Sequence, residues 1–166
     1  MRVHRLVLAL AVVTAIRLPS VAAQEPLVNV RLVATDTLRD LAVTTMVAGR
    51  PVIYFNPVLL QSVGEPLRDF FVAHEYGHVA HGHTGGALTS TGDELARVRQ
   101  KQELQADCYA ASRLTRTNPV AVEAAVAFFA RMGPFRYDQL HPSGAQRAAN
   151  ILACVAAERA SEEQQN

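Results

Sequence analysis

Two histidines four residues apart, with a glutamate directly after the first, are the residues of this chain whose spacing points most directly to chemistry. His74, Glu75 and His78 form the pattern His-Glu-x-x-His. On a helix, side chains four residues apart lie one turn apart on the same face, so both imidazoles can bind one zinc ion. Glu75 projects about 100° around the helix from His74. From there it can accept a proton from a zinc-bound water, whose pKa the metal lowers to about 7.

A catalytic zinc ion needs a third protein ligand and an open position, and Glu103 is the candidate for that ligand. His74, His78 and Glu103 would then form a His₂Glu set that binds one Zn²⁺ per chain. Asp107 follows four residues after Glu103 and therefore shares its helical face. There it could accept a hydrogen bond from a ligand imidazole and fix the tautomer of the ring.

Each of these assignments has a plainer alternative. The five-residue pattern occurs by chance in unrelated proteins, and Glu103 could simply belong to a solvated polar helix face. A competing ligand set would combine His78 with His81 and His83, which are expected at or beyond the end of the helix. That position argues against the competing set. The motif is favoured over a chance match because it lies inside a predicted helix, because four of the six histidines crowd into this short segment and because Glu103 is available as a third ligand.

A β-hairpin is predicted in front of the metal-binding segment. Leu41 to Val47 and Val52 to Phe55 are rich in β-branched and aromatic residues, and a turn that contains Gly49 separates them. Asn56-Pro57 should end the second strand, because proline cannot donate a hydrogen bond to the ladder. We expect Val52 to Phe55 to be an edge strand on which an extended peptide could dock.

Four helices are predicted after the hairpin, which makes the fold α+β. Ser62 and Glu65 have capping-box spacing and would open the helix that carries the two histidines and ends near Ala80. A loop from Gly82 to Gly92 follows. The second helix is predicted from Asp93, as its cap, to about Leu114, and the third from Asn118-Pro119 to Gly133. The fourth should begin near Ser143, with a buried stripe of Ala148, Ile151, Leu152 and Val155.

These motifs resemble those of the gluzincin metallopeptidases, in particular the M48 family with its CAAX prenyl proteases and HtpX-type proteases. The resemblance lies in the pattern from His74 to His78 followed by that from Glu103 to Asp107. A third, weaker motif is His141-Pro-Ser with Arg147 six residues later. The resemblance implies a zincin-like active-site helix and endopeptidase activity, with His141 stabilising the oxyanion and Arg147 orienting the site. Without the resemblance, His141 could equally be an ordinary loop histidine, and Arg147 could lie on a solvated helix face.

The N-terminal 23 residues have the features of a signal peptide. A basic start precedes the apolar run Leu6 to Ile16, and small residues up to Ala23 predict cleavage before Gln24. Residues 24–166 would then form one exported domain, periplasmic or secreted. The alternative is an uncleaved membrane anchor, but the apolar run is short for a bilayer and Arg17 interrupts it.

The charge balance bears on the partners that this protein could bind. The chain has 16 basic and 15 acidic residues, and the predicted signal peptide contains three of the basic ones. The mature net charge is therefore 13 − 15 = −2, which gives no indication of nucleic-acid binding. We expect a protein or peptide substrate and no stable membrane anchor after cleavage. The alternative function is a zinc-stabilised, non-catalytic binding or chaperone-like module, against which the intact Glu75 argues.

The two cysteines, Cys108 and Cys154, are predicted to form a disulfide. Export would place both in an oxidising compartment, where a pair of cysteines in a small domain is commonly bridged. Cys108 follows Glu103 on one predicted helix, and Cys154 follows Arg147 on another. If both helices contribute to one site, they must pack together and bring the cysteines close. The alternative is two buried free thiols.

Overall fold

The computed structural model describes residues 30–84 and 91–164. The predicted signal peptide, residues 1–23, and its cleavage site lie outside the described residues, as does the part 85–90 of the predicted loop. Three strands and five helices make up the described part of the chain, so the predicted α+β class is confirmed. None of these helices is both long enough and apolar enough to cross a membrane.

The sheet consists of β1 (Arg31–Ala34), β2 (Ala42–Val47) and β3 (Arg50–Phe55), in the order β1-β3-β2. β2 and β3 form the predicted antiparallel hairpin, and β1 pairs with β3 in parallel. Ala48 and Gly49 form the hairpin turn, with positive φ angles of 49° and 74°. Two such residues in succession match the twist of the flanking strands.

β3 is the central strand of the sheet, so the prediction that Val52 to Phe55 forms an edge strand is wrong. Its two sides are hydrogen-bonded, one to β1 and the other to β2. The hairpin pattern identifies β2 as a neighbour of β3, but the parallel pairing with β1 has no local sequence signal. A docked peptide could therefore pair only with β1 or β2.

One more helix is present than predicted, because a short helix directly follows β3. The Asn56 side chain caps it by accepting hydrogen bonds from the amides of Val58 and Leu59 at 3.0 and 3.1 Å. Asn56 therefore both ends the strand and starts the helix. The helices are α1 (Pro57–Ser62), α2 (Glu65–Ala80), α3 (Gly92–Thr117), α4 (Pro119–Met132) and α5 (Gly144–Glu163).

Two predicted helix starts are wrong. Ser62 and Glu65 do not form a capping box, since Ser62 belongs to α1 and its hydroxyl donates to a backbone carbonyl there. α2 begins instead after Gly64, without a side-chain cap. α3 begins at Gly92, so Asp93 lies in the first turn rather than at the cap. An acidic side chain in that turn still interacts favourably with the helix dipole.

The predicted starts of the last two helices are confirmed. The Asn118 side chain accepts a hydrogen bond from an amide in the first turn of α4, and Ser143 and Gln146 form a capping box at α5. Within α5, Ile151 is completely buried, but Leu152 is 55% exposed although it was predicted in the buried stripe. Leu152 lies about 100° around the helix from Ile151, so it points away when Ile151 faces the core.

The hydrophobic core lies between the helices and holds α2 in place. Phe70 of α2 and Phe129 of α4 meet edge to face, with ring centroids 6.4 Å apart, and Ile151 of α5 belongs to the same cluster. β2 packs against α2 outside this cluster, where Thr44 contacts Glu75. The site is therefore built where α2 meets both the sheet and α3.

The predicted disulfide is present and joins α3 to α5. Cys108 and Cys154 are bonded, with their Cα atoms 5.4 Å apart and a sequence separation of 46. No free cysteine remains. The bond fixes the helix that carries Glu103 to the one that carries Arg147.

Removing the disulfide should lower the free energy of unfolding by about 4 kcal/mol, because the unfolded chain regains the freedom of a loop of this length. Urea denaturation of the Cys108→Ala/Cys154→Ala double variant measures the loss. Reductant should bring the wild type close to the variant and leave the variant unchanged. Equal unfolding free energies with and without the bond would contradict this expectation.

Candidate metal centre

His74 and His78 of α2 and Glu103 of α3 converge on one point. The Nε2 atoms of the two histidines are 3.1 Å apart, and the Glu103 carboxylate oxygens lie 3.2 Å from His74 Nε2 and 3.3 Å from His78 Nε2. Ligands held about 2.0–2.1 Å from a tetrahedral ion are separated by about 3.4 Å. Among the described residues, these three form the group that could hold a metal ion.

A close contact between helix backbones brings the third ligand to the first two. Gly77, between the two histidines in sequence, lies against Ala106 of α3. A Cβ atom on Gly77 would lie 2.8 Å from the Cα and 2.9 Å from the carbonyl oxygen of Ala106. Any larger residue would push α3 away from α2. The glycine therefore explains how Glu103, one turn before Ala106, reaches His74 and His78.

Asp107 connects the metal-binding group to α5. It is fully buried, and its Oδ1 lies 2.9 Å from His74 Nδ1. Arg147 of α5 donates two hydrogen bonds to this carboxylate, from Nε to Oδ2 at 2.7 Å and from a terminal nitrogen to Oδ1. The Arg147 guanidinium also lies 4.0 Å from the centre of the Phe129 ring. Since a carboxylate only accepts, His74 carries a proton on Nδ1, and its Nε2 faces Glu103.

The buried charges shift the pKa values of these groups strongly. Burial lowers the pKa of His74, but hydrogen bonds to Asp107 and Glu103 outweigh it and raise the pKa to about 10. Burial raises the pKa of Asp107, but the charge and hydrogen bonds of Arg147 hold it below its usual value. For Glu103, burial also raises the pKa, and the hydrogen bonds from His74 and His78 lower it further than burial raises it. Glu103 is therefore ionised, as a metal ligand must be.

Glu75 lies beside the metal-binding group and is held by the sheet. Thr44 of β2 donates its hydroxyl to Glu75 Oε2 at 2.5 Å and lies 3.1 Å from the Glu75 carbonyl oxygen. The glutamate is only 8% exposed. It lines a cleft of about 260 Å³ together with His74, His78 and Glu103. Thr44 was not predicted as a site residue, because its contact with α2 is tertiary and leaves no pattern in the sequence.

The structure brings His141 to the rim of the same cleft. Its Nε2 lies 4.0 Å from Glu103 Oε2, and its Nδ1 lies 2.7 Å from a carboxylate oxygen of Asp138. Both residues line the cleft, but His141 is partly exposed whereas Arg147 is buried against Asp107. The two residues of the third motif thus occupy different positions. Asp138, which sequence reasoning missed, holds the His141 ring.

The competing ligand set of His78, His81 and His83 does not come together around one point. His83 approaches His78 from the opposite side of the ring, with the two Nδ1 atoms 3.0 Å apart. Its Nε2 lies 3.2 Å from the side-chain oxygen of Gln105 on α3. His81 is exposed and stacks on His83, with ring centroids 5.4 Å apart. Burial, followed by the neighbouring charge of His78, lowers the pKa of His83 to about 4.

Metal affinity should rise with pH above neutrality, because an ion must displace the proton of His74. With a pKa of about 10, His74 is protonated at pH 7 in the metal-free protein. One displaced proton per ion corresponds to about a tenfold gain in affinity per pH unit between about pH 7.5 and 9. Competition with a chromophoric chelator, with Zn²⁺ as the test ion, measures this slope. A pH-independent affinity over that range would contradict the protonated state of His74.

Comparison with protein-family models, with curated proteins and with solved structures gives no match to this chain. The chemistry of the cleft is therefore inferred from its own side chains. A partly buried group that could hold a metal ion, a carboxylate beside it and an imidazole at its rim occupy one cleft between β2 and α3.

Proposed function

We propose that this protein is a zinc metalloendopeptidase that hydrolyses peptide bonds in exported or cell-envelope proteins. The observation that carries the proposal is the convergence of His74, His78 and Glu103 at one end of a cleft that Glu75 also lines. The resemblance of these motifs to the gluzincin metallopeptidases supports the same reaction.

The donor set favours zinc over other common ions. Two imidazole nitrogens and one carboxylate are the ligands of a catalytic zinc site, which keeps its fourth position open. Magnesium and calcium instead prefer all-oxygen sites with more ligands. A purely structural zinc ion usually has four protein ligands, whereas the described residues contribute three here.

Glu75 is the group that can move a proton. A bound zinc ion would supply a polarised substrate carbonyl and a water of lowered pKa. Glu75 would accept the proton of the attacking water and pass it to the leaving amine. Thr44 holds its Oε2, which leaves Oε1 to exchange the proton. The cleft wall thus contains a fixed base next to the proposed metal position.

His141 is suited to stabilise negative charge on the substrate oxygen. Its Nδ1 is hydrogen-bonded to the Asp138 carboxylate, so this nitrogen carries a proton. Donation from Nε2 therefore requires the doubly protonated ring. The imidazolium would face the cleft at the place where an oxyanion develops.

The substrate is proposed to bind as an extended strand along β2. β3 is paired on both sides, but β2 is an edge strand, and residues 41–44 line the cleft beside Glu75. An edge strand can pair with a peptide backbone of any sequence, which suits an endopeptidase. The disulfide supports the proposed export, because such bonds persist in the periplasm and outside the cell.

Purified protein should contain about one zinc ion per chain, and each of the variants His74→Ala, His78→Ala and Glu103→Ala should lose it. Each substitution removes one of three ligands, and two ligands bind zinc far more weakly. Metal analysis after dialysis measures the content, with His81→Ala as a control that removes an exposed neighbouring histidine. If Glu103→Ala retained zinc at wild-type affinity, Glu103 would not be the third ligand.

Glu75→Gln should retain zinc and the fold but lose at least about 100-fold in peptide hydrolysis, because the amide cannot accept the proton. Hydrolysis of casein or a labelled peptide measures the loss, and zinc content and thermal unfolding establish that the site is intact. Glu123→Gln, at an exposed position on α4, is the matched control. Equal rates of hydrolysis by Glu75→Gln and the wild type would contradict the role of Glu75 as the proton acceptor. Zinc binding without hydrolysis by the wild type would favour the non-catalytic module.

A further inference from the structure

We propose that His83 is a positioning residue that holds His78 in the orientation needed to bind the metal, and that Gln105 in turn fixes His83. The inference rests on the metal centre of the proposed function but not on peptide hydrolysis. It assigns a role to the turn that follows α2, a segment that contributes neither a metal ligand nor the proposed base.

Two contacts in series connect His78 to α3 through His83. His78 directs Nε2 toward Glu103 and Nδ1 toward His83, whose own Nδ1 lies 3.0 Å away. On the far side of its ring, His83 directs Nε2 to the side-chain oxygen of Gln105 at 3.2 Å. Both nitrogens of each ring are thus engaged, and the series ends on the same helix that contributes Glu103.

The protons in this series can be assigned in one consistent way. A histidine that binds a metal through Nε2 carries its proton on Nδ1, so His78 must donate from Nδ1. His83 therefore accepts at its Nδ1 and, as a neutral ring, carries its proton on Nε2. From Nε2 it donates to the oxygen of Gln105, which is an acceptor. No donor faces a donor, and no acceptor faces an acceptor.

His78 thus has a support that parallels the one Asp107 gives to His74. Metal-binding histidines usually donate their other ring nitrogen to a fixed acceptor, and loss of that acceptor typically weakens metal binding about 10–100-fold. For His74 the acceptor is a buried carboxylate. For His78 the acceptor is a neutral imidazole near the cleft, so sequence reasoning overlooked it and considered His83 only as a rival ligand.

Zinc affinity of the purified full chain, measured by competition with a chelator, tests the role. His83→Leu removes the acceptor and should weaken binding about 10–100-fold. His83→Asn places an amide oxygen close to where Nδ1 stands and should restore most of the affinity. His81→Leu is the matched control, because His81 stacks on His83 without contacting His78 through a hydrogen bond, and it should leave affinity unchanged.

A second substitution covers the case in which His83→Leu does not fold. Gln105→Met removes the acceptor for His83 Nε2 and should weaken zinc binding toward the lower end of the same range, whereas Gln105→Glu retains an acceptor and should not. Thermal unfolding of the metal-free variants distinguishes a general loss of structure from a loss at the metal. Nitrogen-15 NMR of the zinc-loaded wild type should show protons on His78 Nδ1 and His83 Nε2.

Three results would overturn the inference and leave the proposed function standing. The first is a zinc affinity of His83→Leu equal to that of the wild type. The second is a loss of zinc affinity in His83→Asn as large as that in His83→Leu, which would indicate that the imidazole ring acts by packing rather than by accepting a hydrogen bond. The third is a proton on Nδ1 of His83 in the zinc-loaded protein. A wild type that binds no zinc would overturn both this inference and the proposed function. Zinc binding that depends on His83 in a protein without peptidase activity would overturn the proposed function alone.

Discussion

The contact between Gly77 and Ala106 is the constraint on which the rest of the site depends. The two histidines follow from the periodicity of α2, but Glu103, the third candidate ligand, comes from another helix and needs a short distance between helix axes. Only the missing Cβ of Gly77 permits that distance. A glycine in a helix costs about 1 kcal/mol relative to alanine. Here the cost coincides with the position where two backbones must touch so that Glu103 can reach His74 and His78.

The site also depends on electrostatic compensation of a buried charge. A fully buried Asp107 would be strongly destabilising without a cation, and Arg147 provides one from α5 with two hydrogen bonds. This pair makes the metal-binding group depend on a helix that contributes no ligand. The disulfide adds a covalent connection between the same two helices. Geometry at the cleft is thus determined by α2, α3 and α5 together, with β2 holding Glu75 from the other side.

The sequence predicted the features that arise within one element or from well-known spacing. The hairpin, the caps at Asn118 and Ser143, the ligand group and the cysteine pair belong to that class. The sequence did not predict contacts between elements that neither a known motif nor a cysteine pair marks. β1 pairs with a strand beyond its neighbour, so β3 was mistaken for an edge. Thr44 reaches the site through a tertiary contact, and His83 is held beside His78 by a tertiary contact with Gln105. Asp93 and Ser62 were misplaced because several adjacent residues could start a helix equally well.

The covalent ring closed by Cys108 and Cys154 has a consequence for how the protein responds to proteolysis. The ring includes the exposed connection between α4 and α5, with Phe135 and Tyr137 at its surface and His141 near its end. Exposed connections of this kind are preferred places for a protease to cut. A single cut there leaves both pieces tied together. The nicked molecule retains α5 and with it Arg147, which is hydrogen-bonded to Asp107. It separates into two fragments only after the disulfide is reduced.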